Sequence, residues 1–214
     1  MIPIVSVVGR SNSGKTTLLE KLIRELTARG HCIGTVKHDV HGFDVDREGK
    51  DSWRHKEAGA HTVVLSSPKR LALIRDVQSD QSLEEIRGRF IRDVDLILSE
   101  GYKSDVHPKI EVYRKAAHPE PLCTHTDALV AVASDTPLDL GAPCLDIDDV
   151  RGLADLVEER FLRRRKERSV WLMVNGRRIA LSPFAHQILL STVQGLLGAL
   201  KGCKNAERIE LRVE

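Results

Sequence analysis

One stretch near the N-terminus restricts this chain more than any other. Gly9-Arg-Ser-Asn-Ser-Gly-Lys-Thr-Thr17 fits the G-x-x-x-x-G-K-[ST] phosphate-loop pattern at Gly9, Gly14, Lys15 and Thr16. The glycines let the backbone curl until successive N–H groups converge on a phosphate. Lys15 is placed to reach the β- and γ-phosphates and the Thr16 hydroxyl to ligate Mg²⁺. The helix that starts here adds the positive end of its dipole. The flanks agree with this reading. Ile2–Val8 is a β-branched apolar run suited to a buried strand, and Leu18, Leu19, Leu22, Ile23 and Leu26 recur at helical spacing after the loop. The candidate nucleotide-binding set is therefore Gly9, Asn12, Ser13, Gly14, Lys15, Thr16 and Thr17. The expected ligand is a nucleoside triphosphate with Mg²⁺.

A strand, a glycine loop, a helix and a second strand at Ile33–Val36 make a βαβ rhythm, hence an α/β fold with a mostly parallel sheet flanked by helices. Residues 61–66 and 70–75 read as strands whose short connection implies an antiparallel hairpin, so the sheet is expected to be mixed. The basic run Arg160–Arg168 marks a boundary between a domain at 1–168 and an appendage at 169–214. The appendage reads as ββαβ: a hairpin turning at Asn175-Gly176, a helix from Ser182-Pro183, and an alternating strand at Glu207–Val213.

Three further places carry possible chemistry. The charged loop Lys37–Asp51 contains Asp44, Asp46 and Asp51, which could approach Mg²⁺ or a nucleophilic water; a solvated loop without chemistry is the competing reading. Asp44 and Asp46 join Lys15 as catalytic candidates. The apolar strand Leu96–Leu98 ends at Ser99-Glu100-Gly101, where phosphate-loop proteins place the carboxylate of the Mg²⁺ shell, so Glu100 joins Thr16 as a metal candidate. Asp135 follows the buried strand Ala128–Ala133. A carboxylate there either accepts from guanine N1–H and its amino group, which selects GTP, or caps a turn.

Composition excludes other classes. The 33 basic and 31 acidic residues leave a net charge of +2, and aromatics are 4% of the chain, so neither a polyanion surface nor a base-stacking platform is expected. Cys32, Cys123, Cys144 and Cys203 form no C-x-x-C pair and read as structural thiols in a reducing compartment. With neither a signal peptide nor a membrane span in the pattern, the expectation is a cytoplasmic protein.

The phosphate loop, Lys37-His38, Phe43–Asp46, Gly49–Ser52, Ala58–Ala60, Ser99–Lys103, Ala131–Asp135 and Asp146–Leu156 together resemble the MobB family of molybdopterin-guanine dinucleotide biosynthesis adaptors. The match runs in order through residues 1–165, and the segment from Asp44 to Ala60 with Ser-Glu-Gly-Tyr-Lys is its most specific part. The resemblance implies a GTP-binding homodimer with slow GTPase activity. Its implied partner is the molybdenum cofactor guanylyltransferase, which joins GMP to molybdopterin, and molybdopterin is a further implied ligand. Residues 169–214 fall outside it. Two other functions use the same residues: a small-molecule kinase, with Asp44 or Asp46 orienting an acceptor hydroxyl, and a scaffold in which nucleotide only organises a dimer.

Overall fold

The computed structural model describes residues 2–39, 42–43, 45–124, 128–163, 172–174 and 177–198. The chain divides into two compact units between Glu158 and Glu159.

The first unit is built on β1 (Ile4–Val8), buried along its whole length. It leads through the loop into α1 (Lys15–Ala28), which turns Leu18, Leu19, Leu22 and Leu26 inward. That spacing places the four on one stripe of a 3.6-residue helix, and α1 lies along β1, β2 (Ile33–Lys37) and β5 (Leu96–Glu100). With β6 (Lys109–Tyr113), β7 (Leu129–Ser134) and β8 (Cys144–Asp146) these strands form a six-stranded sheet in the order β2-β5-β1-β6-β7-β8. The two strands nearest β1 are thus β5 and β6, neither of which follows it in sequence. Ser99 donates to Ser6 at 2.8 Å, a fully buried hydroxyl pair at facing positions of β5 and β1. Slipping that register by one residue would strand both hydroxyls in apolar surroundings, so the pair fixes which residue of β5 ends beside the loop.

Every pairing in this sheet is parallel. The expectation of a mixed sheet is corrected here. The antiparallel hairpin exists, as β3 (Thr62–Ser66) and β4 (Leu71–Arg75), but it forms a separate two-stranded ribbon. Its side chains explain why. Val63 is buried, whereas Val64, Leu65, Leu71 and Leu73 are all exposed, so the ribbon has no buried face of the kind a central strand presents.

Between the ribbon and β5, α3 (Leu83–Phe90) begins with a capping box in which Ser82 and Glu85 satisfy each other's backbone. Its Leu83 packs with Ile4 and Ile97, facing residues of β1 and β5. The short helix α2 (Asp51–Glu57) precedes the ribbon. Helix α4 (Val150–Val157) is capped by the Asp149 carboxylate, which accepts from Gly152 N–H at 2.9 Å, and it packs on α1. A π-helical turn, Glu158–Leu162, follows. Arg29, at the end of α1, donates to Glu25, Asp155 and Glu158. His31 also donates to Glu158 at 2.6 Å, and these contacts, that of His31 first, hold the Glu158 carboxyl below the usual carboxylate range. The network staples the far end of α1, leaving its N-terminus as the functional end.

In the second unit β9 (Leu172–Val174) pairs antiparallel with β10 (Arg177–Ile179), and α5 (Pro183–Gly198) follows. Ser182 caps α5 by accepting from Ala185 N–H at 3.2 Å, with Pro183 as the first helical residue. The turn at Asn175-Gly176 and the expected strand at 207–213 lie outside the described residues. Among the described residues no helix is long and apolar enough to cross a membrane.

Candidate functional site

The site is built at the C-terminal edge of the parallel sheet, where β1, β5, β6 and β7 all end. Gly9 leaves β1 with φ +147° and lies so close to β6 that an added Cβ would sit 2.4 Å from the Val112 carbonyl oxygen. The loop closes at Gly14, whose left-handed φ of 97° forms the N-cap of α1. No side chain caps this helix and its first turn holds no acidic residue. Its first N–H groups therefore face outward from the loop, the arrangement that attracts an anion. Ser13 is buried, and among the described residues its hydroxyl has no hydrogen-bond partner.

Lys15 reaches back across the loop and donates to the Arg10 carbonyl at 2.7 Å. Partial burial pushes its ammonium below the usual lysine range; Glu100 opposes that shift, and the nearby charge of Lys103 adds to it. Thr16 donates to Glu100 Oε1 at 2.9 Å. The two metal candidates, 84 positions apart in sequence, thus meet at the head of α1. A hydroxyl and a carboxylate are hard oxygen donors of the kind Mg²⁺ takes, so the residues present fit that ion. The position of Glu100 is held by the residue after β2: His38 N–H donates to the Glu100 carbonyl at 2.9 Å. The His38 ring stacks on Tyr102 with centroids 4.5 Å apart and donates to Asp80 at 2.7 Å. Tyr102 has a positive φ of 51°, and its hydroxyl is tied to the Gln81 carbonyl at 3.2 Å.

The remaining candidates fall elsewhere. Asn12, with φ 61°, and Thr17 are exposed on the loop and the first turn of α1. Asp135 follows β7 on the same sheet edge, and one of its oxygens accepts from Lys115 N–H at 3.0 Å. Asp46 is engaged locally: its Oδ1 accepts from Arg47 N–H and from the Ser52 hydroxyl, bracing the start of α2. Neither contact joins it to Thr16 or Glu100. Asp44 lies outside the described residues.

The segment after β6 is a part of the site that motif reading passed over. Arg114–Glu120 runs against the phosphate loop as a strap. His118 donates to the Ser11 carbonyl at 2.7 Å, and Arg10 donates to the Glu120 carbonyl at 3.3 Å. The buried Glu111 carboxylate secures the following residues by accepting from Leu122 N–H and from Cys123 N–H. A signal existed in the sequence, since a carboxylate flanked by Ile110 and Val112 in a strand demands a partner. The identity of that partner was not legible.

A family model described as molybdopterin guanine dinucleotide synthesis protein B matches residues 4–135. The chain is similar to the molybdopterin-guanine dinucleotide biosynthesis adapter protein of Haemophilus influenzae, with 42% identity over 158 residues, 73% of this chain and 88% of the relative. The adapter protein of that name from Escherichia coli is likewise 42% identical, over 167 residues, 74% of this chain and 93% of the relative. Among solved structures, a molybdopterin-guanine biosynthesis protein B aligns with TM-score 0.60 and 32% identity, covering 73% of this chain and 97% of that one. Bacillus subtilis MobB aligns with TM-score 0.60 and 29% identity, covering 74% and 98%.

Proposed function

The chain belongs to the molybdopterin guanine dinucleotide synthesis protein B family, and on that premise we propose that it is an adaptor of molybdopterin guanine dinucleotide biosynthesis that binds Mg²⁺–GTP and hydrolyses it slowly. The observation that carries the nucleotide part is the contact of Thr16 with Glu100 at the head of an uncapped helix beside Lys15. Backbone N–H groups of the loop and the Lys15 ammonium would hold the β- and γ-phosphates, and Thr16 and Glu100 would hold Mg²⁺. The metal, when bound, supplies charge that offsets the negative charge developing on the phosphate oxygens. Asp135 supports a preference for guanine, because among the described residues Lys115 N–H engages one of its oxygens and leaves the other open.

Slow turnover follows from what the chain's own residues are doing. Arg10, the arginine within the loop, is committed to the Glu120 carbonyl. Asp46 Oδ1 is likewise engaged, by Arg47 N–H and the Ser52 hydroxyl, so in this reading acceleration would come from a partner. The partner in this reading is the guanylyltransferase that joins GMP to molybdopterin. A homodimer is part of the reading, supported by the exposed apolar ribbon residues Leu65, Leu71 and Leu73. Sedimentation should then give twice the chain mass at micromolar concentration, and a monomer there would remove the dimer from the account.

The central test compares GTP and ATP titrations in Mg²⁺ for the native chain and Glu100→Gln. The native chain should prefer GTP and turn it over slowly, faster with the guanylyltransferase present. Glu100→Gln keeps the shape but loses the charge, so hydrolysis and Mg²⁺ dependence should fall while metal-free binding persists. Hydrolysis at the native rate in this variant would assign the metal to another carboxylate. Equal affinity for ATP would leave Asp135 as a turn-capping residue only.

A further inference from the structure

We propose that Arg114 is a phosphate-binding residue of this site, holding the diphosphate portion of the nucleotide from the side of β1 opposite to the Thr16–Glu100 pair. The proposal rests on the nucleotide reading above. Arg114 follows β6 directly, and its guanidinium lies over the loop: an added Cβ at Gly14 would meet its Nε at 3.3 Å and its Nη2 at 3.7 Å. This places an arginine at the N-terminal end of α1, the positive end of a 14-residue helix, where Lys15 already stands. Both cations face the positive end of the helix dipole, which disfavours them there. Glu100 offsets Lys15 in part, but no acidic residue in the first turn and no side-chain cap adds to it. Among the described residues no hydrogen bond or ion pair neutralises the guanidinium. Its field reaches Asp148, whose carboxyl is drawn down chiefly by the hydrogen bond from Lys21. The arrangement becomes favourable when an anion lies between Lys15, the helix N–H groups and Arg114. The unpartnered hydroxyl of buried Ser13 in the same loop independently points to a ligand there.

Strand order decides which part of a triphosphate Arg114 meets. β5 and β6 flank β1 on opposite sides. Glu100 ends β5 and contacts Thr16, so the residues that would hold Mg²⁺, and with them the terminal phosphate, belong on that side. Arg114 approaches from β6, which leaves it the phosphates common to GTP and GDP. Its backbone is set in advance. Ala117 N–H and His118 N–H both donate to the Arg114 carbonyl. The strap beyond is pinned by Tyr113 to the Pro119 carbonyl at 3.1 Å and by His118 to Ser11. A residue already ordered loses little entropy on binding, which favours a phosphate contact over a solvated surface role. A planar guanidinium also suits phosphate oxygens better than a point charge does.

The test titrates GDP and GTP, each with Mg²⁺, into the full-length chain, Arg114→Ala and Arg114→Lys. Arg114→Ala should weaken both nucleotides by the same factor, roughly 10- to 100-fold for a charge-assisted phosphate contact. Arg114→Lys should restore part of it, and thermal unfolding without nucleotide should be unchanged or slightly raised, since a repelled cation has gone. Native affinity in Arg114→Ala, alongside loss in Lys15→Ala, would overturn this proposal and leave the nucleotide reading standing. Loss confined to GTP would place Arg114 on the γ-phosphate and overturn it too. Failure of the native chain to take either nucleotide would remove both.

Discussion

Replacing Lys15 by alanine is expected to weaken GTP binding by roughly 30- to 150-fold, the equivalent of about 2–3 kcal/mol for a charge-assisted contact to phosphate. The ammonium is half-buried and crosses the loop to the Arg10 carbonyl. Its downward-shifted pKa reflects first the loss of water around it and then the opposing fields of Glu100 and Lys103. An ammonium in that setting gains more from a phosphate than a fully solvated one does, because the phosphate replaces solvation already lost. The variant should fold as the native chain does, since the side chain is only half-buried and the carbonyl it leaves belongs to exposed Arg10. Calorimetric titration in Mg²⁺ reads the affinity and a melting curve reads the fold. Native GTP affinity in a normally melting variant would end the assignment of Gly9–Thr17 as a phosphate loop.

Gly9→Ala is expected to be the most damaging single substitution in the loop. At φ +147° a side chain is strained wherever it sits, and here the new Cβ would be 2.4 Å from the Val112 carbonyl oxygen and 2.8 Å from Ser13 Oγ. The carbonyl is backbone in β6, which pairs with β1 and β7, so it cannot move aside without opening the sheet. Strain and overpacking together suggest about 3 kcal/mol of lost stability. In a chain of this size that lowers the melting temperature by roughly 6–12 °C. The displaced loop should lose GTP affinity as well. Gly88→Ala is the control. It lies in α3 with nothing within 4 Å of an added Cβ, so it should be neutral or raise stability by up to about 1 kcal/mol. Equal melting temperatures for the two variants would show that the approach of Gly9 to β6 is not a packing constraint.

Much of the first unit was legible before its structure. β1, the loop and α1 are local patterns, and their features lie within one turn or one strand of each other. The apolar runs at β5 and β7 read as buried strands because parallel strands bury both faces. The Ser182-Pro183 helix start was legible for the same local reason. Charge density in a loop names Asp46 by type alone; the structure adds that its Oδ1 is engaged with Arg47 and Ser52 at the start of α2, while among the described residues its buried Oδ2 has no hydrogen-bond partner.

The family likeness and the phosphate-loop pattern reside in residue types at fixed spacing, and the sequence by itself determined them together with the α/β class. The order of the strands is not a spacing. It follows from which apolar faces bury best against each other across the whole chain. Only the tertiary structure inserted β5 beside β1, which brings Glu100 within 2.9 Å of Thr16, and laid the strap after β6 against the loop with Arg114 over Gly14. Only it kept the hairpin β3–β4 out of the sheet, since edges are chosen by long-range burial and hydrogen bonding. A linear pattern can name the residues able to meet a phosphate; their meeting is decided by packing between segments far apart in the chain.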